Sequence, residues 1–264
     1  ANYALEGDPS KFVQLAVEAD KAGWHGFFIW DHIYPNPGQI MEVTDPWITL
    51  AAIAASTESI RLGTTITALP RRRPQKVARE VVSLDRLSGG RFTLGVGLGA
   101  PEDFTKFGEE TDTKIRAEKL DECLEILRGL WSGKEFTFNG KHYSITNVTF
   151  RPRPIQKKIP IWCAGTWPLK APFRRAARYE GVFPLRMNSD LTLEDLIEIR
   201  KYIDRYRTQK SEYDVVALIR TKDSNDTEWI PKLSEVGVTW IAEVVIEQDM
   251  NTILERVKKG PVTQ

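Results

Sequence analysis

With 264 residues, of which 41% are hydrophobic, the chain is long enough to bury a large core, in one barrel-sized domain or in two smaller ones. Its formal net charge of +1 gives no overall attraction to nucleic acid or to a membrane surface. The two cysteines and three histidines lack the spacings of a disulfide framework or a protein-bound metal site. We therefore expect a cytoplasmic protein with no metal, no nucleic-acid partner and no membrane partner.

Short β-branched or aromatic segments alternate with amphipathic helical segments along the chain. The first part is predicted to contain helix 9–22, strand 26–30, helix 46–57, strand 60–68, helix 75–87 and strand 92–96. The second part is predicted to contain helix 113–131, strand 159–164, helix 170–179, strand 181–185, helix 193–206, strand 213–221, helix 228–236, strand 238–245 and helix 250–258. Repeated strand-then-helix units predict parallel strands with helical crossovers.

The seven predicted parallel strands are one fewer than a TIM (β/α)8 barrel requires. Only residues 1–7 precede the first helix, so an eighth strand placed there would be truncated. No linker-like or low-complexity stretch divides the chain. We predict an α/β TIM barrel formed by a single domain, residues 1–264, with a truncated first strand. An open, doubly wound sheet is the alternative.

One segment interrupts the strand–helix alternation. Between residues 133 and 158, alternating aromatic and aliphatic residues flank the turn Asn139-Gly140, a pattern typical of a β-hairpin. Counted with the truncated first strand, this hairpin is an insertion after the fourth βα unit. It is either a surface flap, or a lid or subunit contact.

Glycines alternate at the end of the strand that begins at residue 92. Gly95, Gly97 and Gly99 leave one face of the strand without side chains, so a flat ligand could lie against its backbone. The other interpretation is that they only let neighbouring elements pack closely. Their spacing is not that of a dinucleotide fingerprint.

Three further motifs follow predicted strands, where a barrel places its reactive groups. Asp31 and His32 form either an acid/base pair or a turn cap beside a loop histidine. Residues 71–73, three arginines between two prolines, form either an anion-binding loop or a solvated turn. Gly165 and Thr166 before a helix offer free N–H groups to an anion, or the glycine only permits close packing.

Several of these motifs together resemble one known family. WDH at 30–32, DPW at 45–47, the long block at 60–99, and PIWCAGTWP with GVFPLR within 160–186 are similar to the luciferase-like flavin-dependent oxidoreductases. This superfamily includes bacterial luciferase, FMN-dependent monooxygenases, and dehydrogenases and reductases that use the deazaflavin coenzyme F420. The resemblance covers nearly the whole chain.

The resemblance implies a flavin-dependent oxidoreductase, either a monooxygenase or a hydride-transferring dehydrogenase or reductase: a β/α barrel that binds FMN or F420 at the carboxyl ends of its strands, acts on a small-molecule substrate and forms a homodimer. The alternatives are a flavin- or phosphate-binding barrel without redox turnover, and an unrelated barrel isomerase or lyase. The resemblance implies catalytic roles for His32, as general acid/base or flavin-edge donor, and for Asp31, which would orient it. The implied cofactor-binding residues are Thr65, Ile66, Gly97, Leu98, Gly99, Ala164, Gly165, Thr166, Gly181 and Val182. Thr65 and Ile66 would form a bulge that carries a non-prolyl cis peptide bond in several members.

The chain departs from the sugar-phosphate dehydrogenases of that family. Those enzymes have an acidic residue directly after the glycine-rich strand and a tryptophan soon after the Asp-His pair. This chain has Ala100 and Asn36 at those positions. We therefore do not expect sugar-phosphate dehydrogenase activity.

Overall fold

In the part of the chain that the structure describes, seven parallel strands form one sheet, and helices connect them. The computed structural model describes residues 7–34, 42–219, 227–244 and 249–262. The strands are β1 Gly26–Asp31, β2 Arg61–Ala68, β3 Phe92–Gly97, β4 Glu135–Asn139, β5 Ser144–Thr149, β6 Ile161–Trp167, β7 Gly181–Arg186, β8 Asp214–Ile219 and β9 Trp240–Glu243. The helices are α1 Pro9–Lys21, α2 Pro46–Ser56, α3 Pro74–Leu87, α4 Glu102–Thr105, α5 Thr113–Trp131, α6 Lys170–Ala176, α7 Leu193–Tyr206, α8 Ile230–Glu235 and α9 Met250–Lys258.

The order of the strands distinguishes between the two predicted architectures. The sheet runs β1-β2-β3-β6-β7-β8-β9, which follows the chain without reversal. A doubly wound sheet would reverse its order at a switch point, so that alternative is wrong for the described strands. The predicted α/β class with parallel strands and helical crossovers is confirmed. The predicted truncated strand falls on residues 1–7, of which 1–6 lie outside the described residues.

The sheet curls so that its first and last described strands, β1 and β9, approach each other. The ring of Phe28 on β1 lies edge-on to Trp240 on β9, with 6.2 Å between ring centroids, and stacks on Trp162 of β6 at 4.9 Å. On the outside, Trp24 Nε1 donates to the carbonyl of Val257 at 2.8 Å, so the end of α1 contacts α9. The architecture is therefore TIM-barrel-like.

Asp-Pro pairs start two of the helices. Asp8 accepts a hydrogen bond from Ser10 N at 2.8 Å and is followed by Pro9 at the first helical position of α1. Asp45 accepts from the backbone N–H of Trp47 and Ile48, each at 2.9 Å, and starts α2 in the same way. An aspartate cap satisfies N–H groups that lack intrahelical partners, and proline at this position loses no hydrogen bond.

The predicted β-hairpin is present as β4 and β5, which pair antiparallel. Its apolar side chains pack against the core of the same chain: Phe136, Phe138, Tyr143, Ile145 and Val148. Glu122 of α5 accepts hydrogen bonds from the backbone N–H of Lys141 at 2.7 Å and of His142 and Tyr143 at 3.0 Å. The hairpin is therefore docked on α5. Its roles as a lid or a subunit contact stay predictions.

An aspartate joins the aromatic residues at the amino-terminal end of the strands. Asp214, the first residue of β8, accepts hydrogen bonds from Trp162 Nε1 at 2.9 Å and Trp240 Nε1 at 3.1 Å. Trp162 is almost fully buried. Since a buried indole N–H without an acceptor is costly, one carboxylate stabilises the positions of both rings.

We expect Asp214→Ala to lower the free energy of unfolding by about 2–4 kcal/mol, because both indole N–H groups lose their acceptor. Urea denaturation followed by circular dichroism measures this. Asp204→Ala is the matched control: Asp204 is exposed and pairs with Arg200 within α7, so its loss should cost less than about 1 kcal/mol. Equal losses in the two variants would show that the Asp214 bridge does not stabilise the fold.

Candidate active site

Asp31 at the end of β1 is buried in an ion-pair cluster. Its carboxylate accepts hydrogen bonds from Arg72 Nη2 at 2.9 and 3.0 Å, Arg71 Nη2 at 3.1 Å and Trp47 Nε1 at 2.9 Å. The side chains of Asp31 and Arg71 are 2% and 4% exposed. The carboxylate thus holds together the end of β1, the start of α2 and the turn after β2. Arg71 and Arg72 bind this internal carboxylate, so the sequence-based hypothesis of an external anion in their loop is not supported.

His32 is paired with a different aspartate from the one predicted to orient it. Its Nδ1 lies 2.8 Å from Asp103 Oδ2, while Asp103 Oδ1 accepts from the backbone N–H of Ile33 at 3.0 Å and of Tyr34 at 2.8 Å. The Asp103 side chain is fully buried, whereas that of His32 is 30% exposed. Asp103 is therefore the aspartate that orients His32 in this geometry. The carboxylate oxygens of Asp31 already accept hydrogen bonds from Arg71, Arg72 and Trp47.

The environment of Asp103 keeps its carboxyl group ionised. Burial alone would raise its pKa, but the hydrogen bond from His32 and those from the backbone N–H of Tyr34 and Ile33 outweigh burial and hold the pKa below its ordinary value. An ionised partner at Nδ1 favours the tautomer with the proton on that nitrogen. Nε2 is then the nitrogen that can accept or return a proton.

Sequence reasoning missed Asp103 because it predicted no helix between strand 92–96 and helix 113–131. The segment instead forms the four-residue helix α4, which directs Asp103 and Phe104 into the core. A helix this short has no periodicity to detect. The available signal was a pair of acidic residues, 102 and 103, shortly after the end of a predicted barrel strand.

The alternating glycines of β3 serve close packing. A Cβ added at Gly95 would lie 2.0 Å from the carbonyl oxygen of Thr64, and one at Gly97 would lie 2.0 Å from Ile66 Cδ1. Gly99 has φ +80° and directly precedes the turn into α4. Since β2 covers this face, the hypothesis that a flat ligand lies on bare glycine backbone is not supported at Gly95 and Gly97. Leu98 and Gly99 are only half-buried.

Thr65 and Ile66 form the irregular part of β2 that the family resemblance implied. The peptide bond between them is cis, and the β2–β3 pairing shifts register between Gly63 and Thr67. Ile66 contacts Gly97, as described above. The position of a Cβ added at Gly97 would be 3.5 Å from Ala164 Cβ. The structure thus brings Ile66, Gly97 and Ala164 together on the inner side of the sheet.

Two of the predicted anion-binding positions lie elsewhere than expected. Strand β6 continues to Trp167, and Gly165 and Thr166 pair with β7, so they do not form the amino terminus of a helix. A Cβ at Gly165 would lie 2.7 Å from Pro172 Cβ, so this glycine faces α6.

Gly181 and Val182 begin β7, at the end of the sheet opposite His32. A Cβ at Gly181 would lie 2.5 Å from Trp162 Cδ1, and Val182 is fully buried. The structure therefore does not bring them together with the other predicted cofactor-binding residues.

Inside the curl, the side chains form a closed lower layer and an open upper layer. The lower layer is buried and consists of Trp162, Phe183 and Val216. Two residues further along their strands, the inner side chains are half-buried: Ala164, Leu185 and Leu218, joined by Ile66. Thr166 continues the same face of β6. This half-buried apolar layer lies toward the carboxyl ends of the strands, where His32 and Asp103 also lie and where a barrel binds its ligands.

The described residues contain neither a metal-binding cluster nor a membrane-spanning helix. Among the described residues, no group of three or more histidine, cysteine, aspartate or glutamate side chains is arranged to hold a metal ion. Within the same part of the chain, no helix is both long enough and apolar enough to cross a bilayer.

We expect Asp31→Ala to lower the free energy of unfolding by about 3–5 kcal/mol, because it leaves the buried Arg71 guanidinium without its carboxylate. Thermal and urea denaturation measure this loss. Asp31→Asn keeps the shape and one acceptor, so it should lose less. A variant that unfolds like the wild type but loses turnover would show instead that Asp31 acts in the chemistry.

Comparison with known proteins identifies relatives over most of the chain. The family model described as luciferase-like monooxygenase matches residues 1–221. An uncharacterised protein of Mycobacterium bovis is 32% identical over 247 residues, which are 86% of this chain and 82% of that protein. The F420-dependent glucose-6-phosphate dehydrogenase of Beutenbergia cavernae is 34% identical over 164 residues, 61% of this chain but only 48% of that enzyme.

Solved structures show the same fold at low sequence identity. An F420-dependent secondary alcohol dehydrogenase in complex with an F420-acetone adduct superimposes with a TM-score of 0.80 at 16% identity, covering 96% of this chain and 94% of that one. The oxygenating constituent of 3,6-diketocamphane monooxygenase from Pseudomonas putida, in complex with FMN, gives a TM-score of 0.66 at 22% identity, covering 88% and 69%. With the family match over residues 1–221, the resemblance inferred from the motifs is confirmed: the chain belongs to the luciferase-like monooxygenase family.

Proposed function

We propose that this protein is a flavin-dependent oxidoreductase that binds FMN or F420 and acts on a small-molecule substrate. The observation that carries the proposal is the His32–Asp103 pair at the rim of an apolar, half-buried inner face. A titratable pair beside an apolar layer suits the binding of a planar ring and the transfer of a proton at its edge. Relatives and structural neighbours whose names include F420 or FMN support it.

Five of the residues predicted for the cofactor suit a flavin in this position. Ile66, Leu98, Gly99, Ala164 and Thr166 are half-buried near the carboxyl ends of their strands. Thr65 would contact the flavin through its backbone. Gly97 would contribute indirectly, because its missing side chain leaves room for that of Ile66. Gly165 faces α6, and Gly181 and Val182 lie at the opposite end. A bound flavin would supply the hydride or oxygen chemistry.

The chain's own residues would position the reactants and move one proton. Asp103 holds His32 through Nδ1, so the imidazole is oriented before a substrate arrives, and Nε2 is left to accept or donate a proton. The apolar side chains of the upper layer would exclude water from the reacting face. Asp31 would act only indirectly, by fixing the end of β1 from which His32 emerges.

Four further predictions belong to this proposal. The substrate is not assigned. Glucose 6-phosphate, the substrate named for one relative, is not proposed for this chain, because Ala100 replaces the acidic residue expected for that activity.

We propose a homodimer. The exposed Ile48 on α2 and Leu87 on α3, 70% and 51% exposed, are compatible with a covered surface. A cytoplasmic location and a truncated first strand of the barrel also remain proposals.

Titration with FMN and with F420 tests the proposal, because a bound flavin changes its absorbance and fluorescence. We expect saturable binding of at least one of them. Ala164→Phe fills the upper layer and should weaken binding at least about tenfold, a free-energy change of about 1.4 kcal/mol. Thr208→Phe adds similar bulk at an exposed position after α7 and should not. A folded protein that binds neither flavin would refute the proposed function.

We expect His32→Ala to keep flavin affinity within about tenfold and to lower kcat by roughly 10² or more, the usual range for a lost general acid/base. Asp103→Asn should show a smaller loss in the same direction, since it acts through His32. Single-turnover flavin reduction or reoxidation measures both. His25→Ala removes an exposed histidine before β1 and should be silent. If His32→Ala keeps the wild-type rate, the pair is structural, and binding without redox turnover becomes the better description.

A further inference from the structure

Trp30, between Ile29 and Asp31 on β1, points into the interior of the curled sheet. Ile29 is fully buried in the main core with residues of α1 and α2, and Asp31 binds Trp47 of α2, so both neighbours point outward. Phe28, two residues before Trp30, packs on the lower layer inside the curl. Because side chains alternate between the two faces of a strand, Trp30 shares this inner face.

The irregular pairing beside β1 does not disturb this alternation. Between Ile29 and Asp31, two steps along β1 match three steps along β2, from Thr64 to Thr67. The extra residue therefore belongs to β2, which also carries the cis peptide bond. Strand β1 stays regular through Trp30, so the inward direction of its indole follows from its two neighbours.

Trp30 lies at the level of the upper layer, beside His32. A strand rises about 3.3 Å per residue, so Trp30 is about 6.6 Å beyond Phe28 toward the carboxyl end of β1. Its ring is nearly perpendicular to that of His32, at an angle of 84° and with 6.2 Å between the ring centroids. Trp30 is half-buried. An indole surface thus adjoins the histidine that is proposed to move a proton.

Trp30 differs in chemistry from the other inner side chains at its level. Those side chains are aliphatic and smaller: Ile66, Ala164, Leu185 and Leu218. The residues that we propose for the flavin lie on β2 and β6 or directly follow β3. Trp30 lies on β1, outside that set. A flavin bound by that set would leave the indole of Trp30 and the imidazole of His32 to the substrate.

The apolar surface continues beyond His32 along the chain. Ile33 and Tyr34 are 44% and 36% exposed. Asp103 accepts hydrogen bonds from the backbone N–H groups of both residues, so their side chains extend from a fixed backbone. A ligand at His32 would therefore meet apolar side chains before and after it in the sequence. Removal of this surface from water favours an apolar ligand.

We propose that Trp30 determines substrate specificity by stacking on a planar, apolar ring of the substrate. This inference rests on the proposed function and deepens it, because it names a substrate class: molecules with an aromatic ring next to the group that reacts at His32. An indole has a wide, flat face, and its pairing with another aromatic ring is favoured beyond the burial of area alone. The aliphatic side chains of the upper layer offer no such preference.

Two matched probes test this assignment. 2-Naphthol is planar and aromatic, whereas decahydro-2-naphthol has the same carbon skeleton and hydroxyl group without planar rings. Isothermal titration calorimetry measures both affinities in the flavin-free protein and in the protein saturated with the flavin that it binds. We expect the flavin-saturated wild-type protein to prefer 2-naphthol about fivefold, within the range that aromatic pairing provides. Equal affinities, or a preference for the saturated probe, would overturn the proposal.

Variants of Trp30 show whether the preference comes from the indole. Trp30→Leu keeps an apolar side chain without a ring, so the preference should fall below about twofold while flavin affinity stays within about threefold of the wild type. Trp30→Phe keeps a smaller ring and should show an intermediate preference. It provides the test if Trp30→Leu does not fold. Tyr206→Leu is the matched control, because Tyr206 is a 41% exposed aromatic residue at the end of α7, and it should keep the wild-type preference.

A preference that survives in Trp30→Leu, or that is unchanged in Trp30→Phe, would overturn the proposal. If flavin affinity falls together with the preference in Trp30→Leu, the indole stacks on the flavin and its assignment to the substrate is wrong. If a flavin binds and no preference depends on Trp30, the proposed function stands and this inference fails. If neither flavin binds but the flavin-free protein shows a Trp30-dependent preference, the proposed function fails and Trp30 still selects a ring.

Discussion

The buried carboxylate of Asp31 anchors the end of β1, and His32 of the candidate active site is the next residue. Its partners come from the turn after β2 and from the first turn of α2, so one side chain joins three segments that are distant in sequence. A carboxylate this deeply buried is tolerated only because each oxygen accepts charge-assisted hydrogen bonds. Arg72 also approaches Glu80 to 4.0 Å, which offsets part of the second positive charge. His32 then leaves the strand in a fixed direction, toward α4.

Two adjacent residues in the sequence therefore have separate roles. Asp31 faces the ion-pair cluster and is buried, whereas His32 is partly exposed and paired with Asp103. The second aspartate also accepts the backbone N–H groups of Ile33 and Tyr34, which fixes the chain directly after His32. Hydrogen bonds therefore fix both the imidazole ring of this histidine and the backbone that follows it. An acid/base group that is fixed in this way loses little orientational freedom when it reacts.

Periodicity predicted the larger elements well and the short ones poorly. Helix α5 and the β4–β5 hairpin appear where the pattern placed them, since long amphipathic helices and an Asn-Gly turn between alternating residues are strong local signals. The end of β6 was placed three residues early because Gly165 resembles a strand terminator. In the structure it permits close packing against Pro172.

The position of the candidate site could be predicted from the sequence. The hydrogen-bond partners of its residues could be identified only in the folded structure. That His32 lies at the carboxyl end of a strand followed from chain order. That its partner is 71 positions away in α4, and not the neighbouring Asp31, could not be read from sequence adjacency. The glycines of β3 allowed two interpretations, and only the position of Ile66 and Thr64 against them favours close packing. Gly181 and Val182 match the family motif, yet the direction of β7 places them at the far end.

The aspartates that join distant elements and the histidine of the candidate site use their hydrogen-bonding atoms differently. The carboxylates of Asp31 and Asp214 each accept hydrogen bonds from residues of two elements that are distant in the sequence. His32 uses Nδ1 for Asp103 and makes no hydrogen bond through Nε2 within the described residues. Since Nδ1 and the backbone N–H groups that follow already fix the ring, Nε2 can bind another molecule without the loss of a hydrogen bond that stabilises the fold.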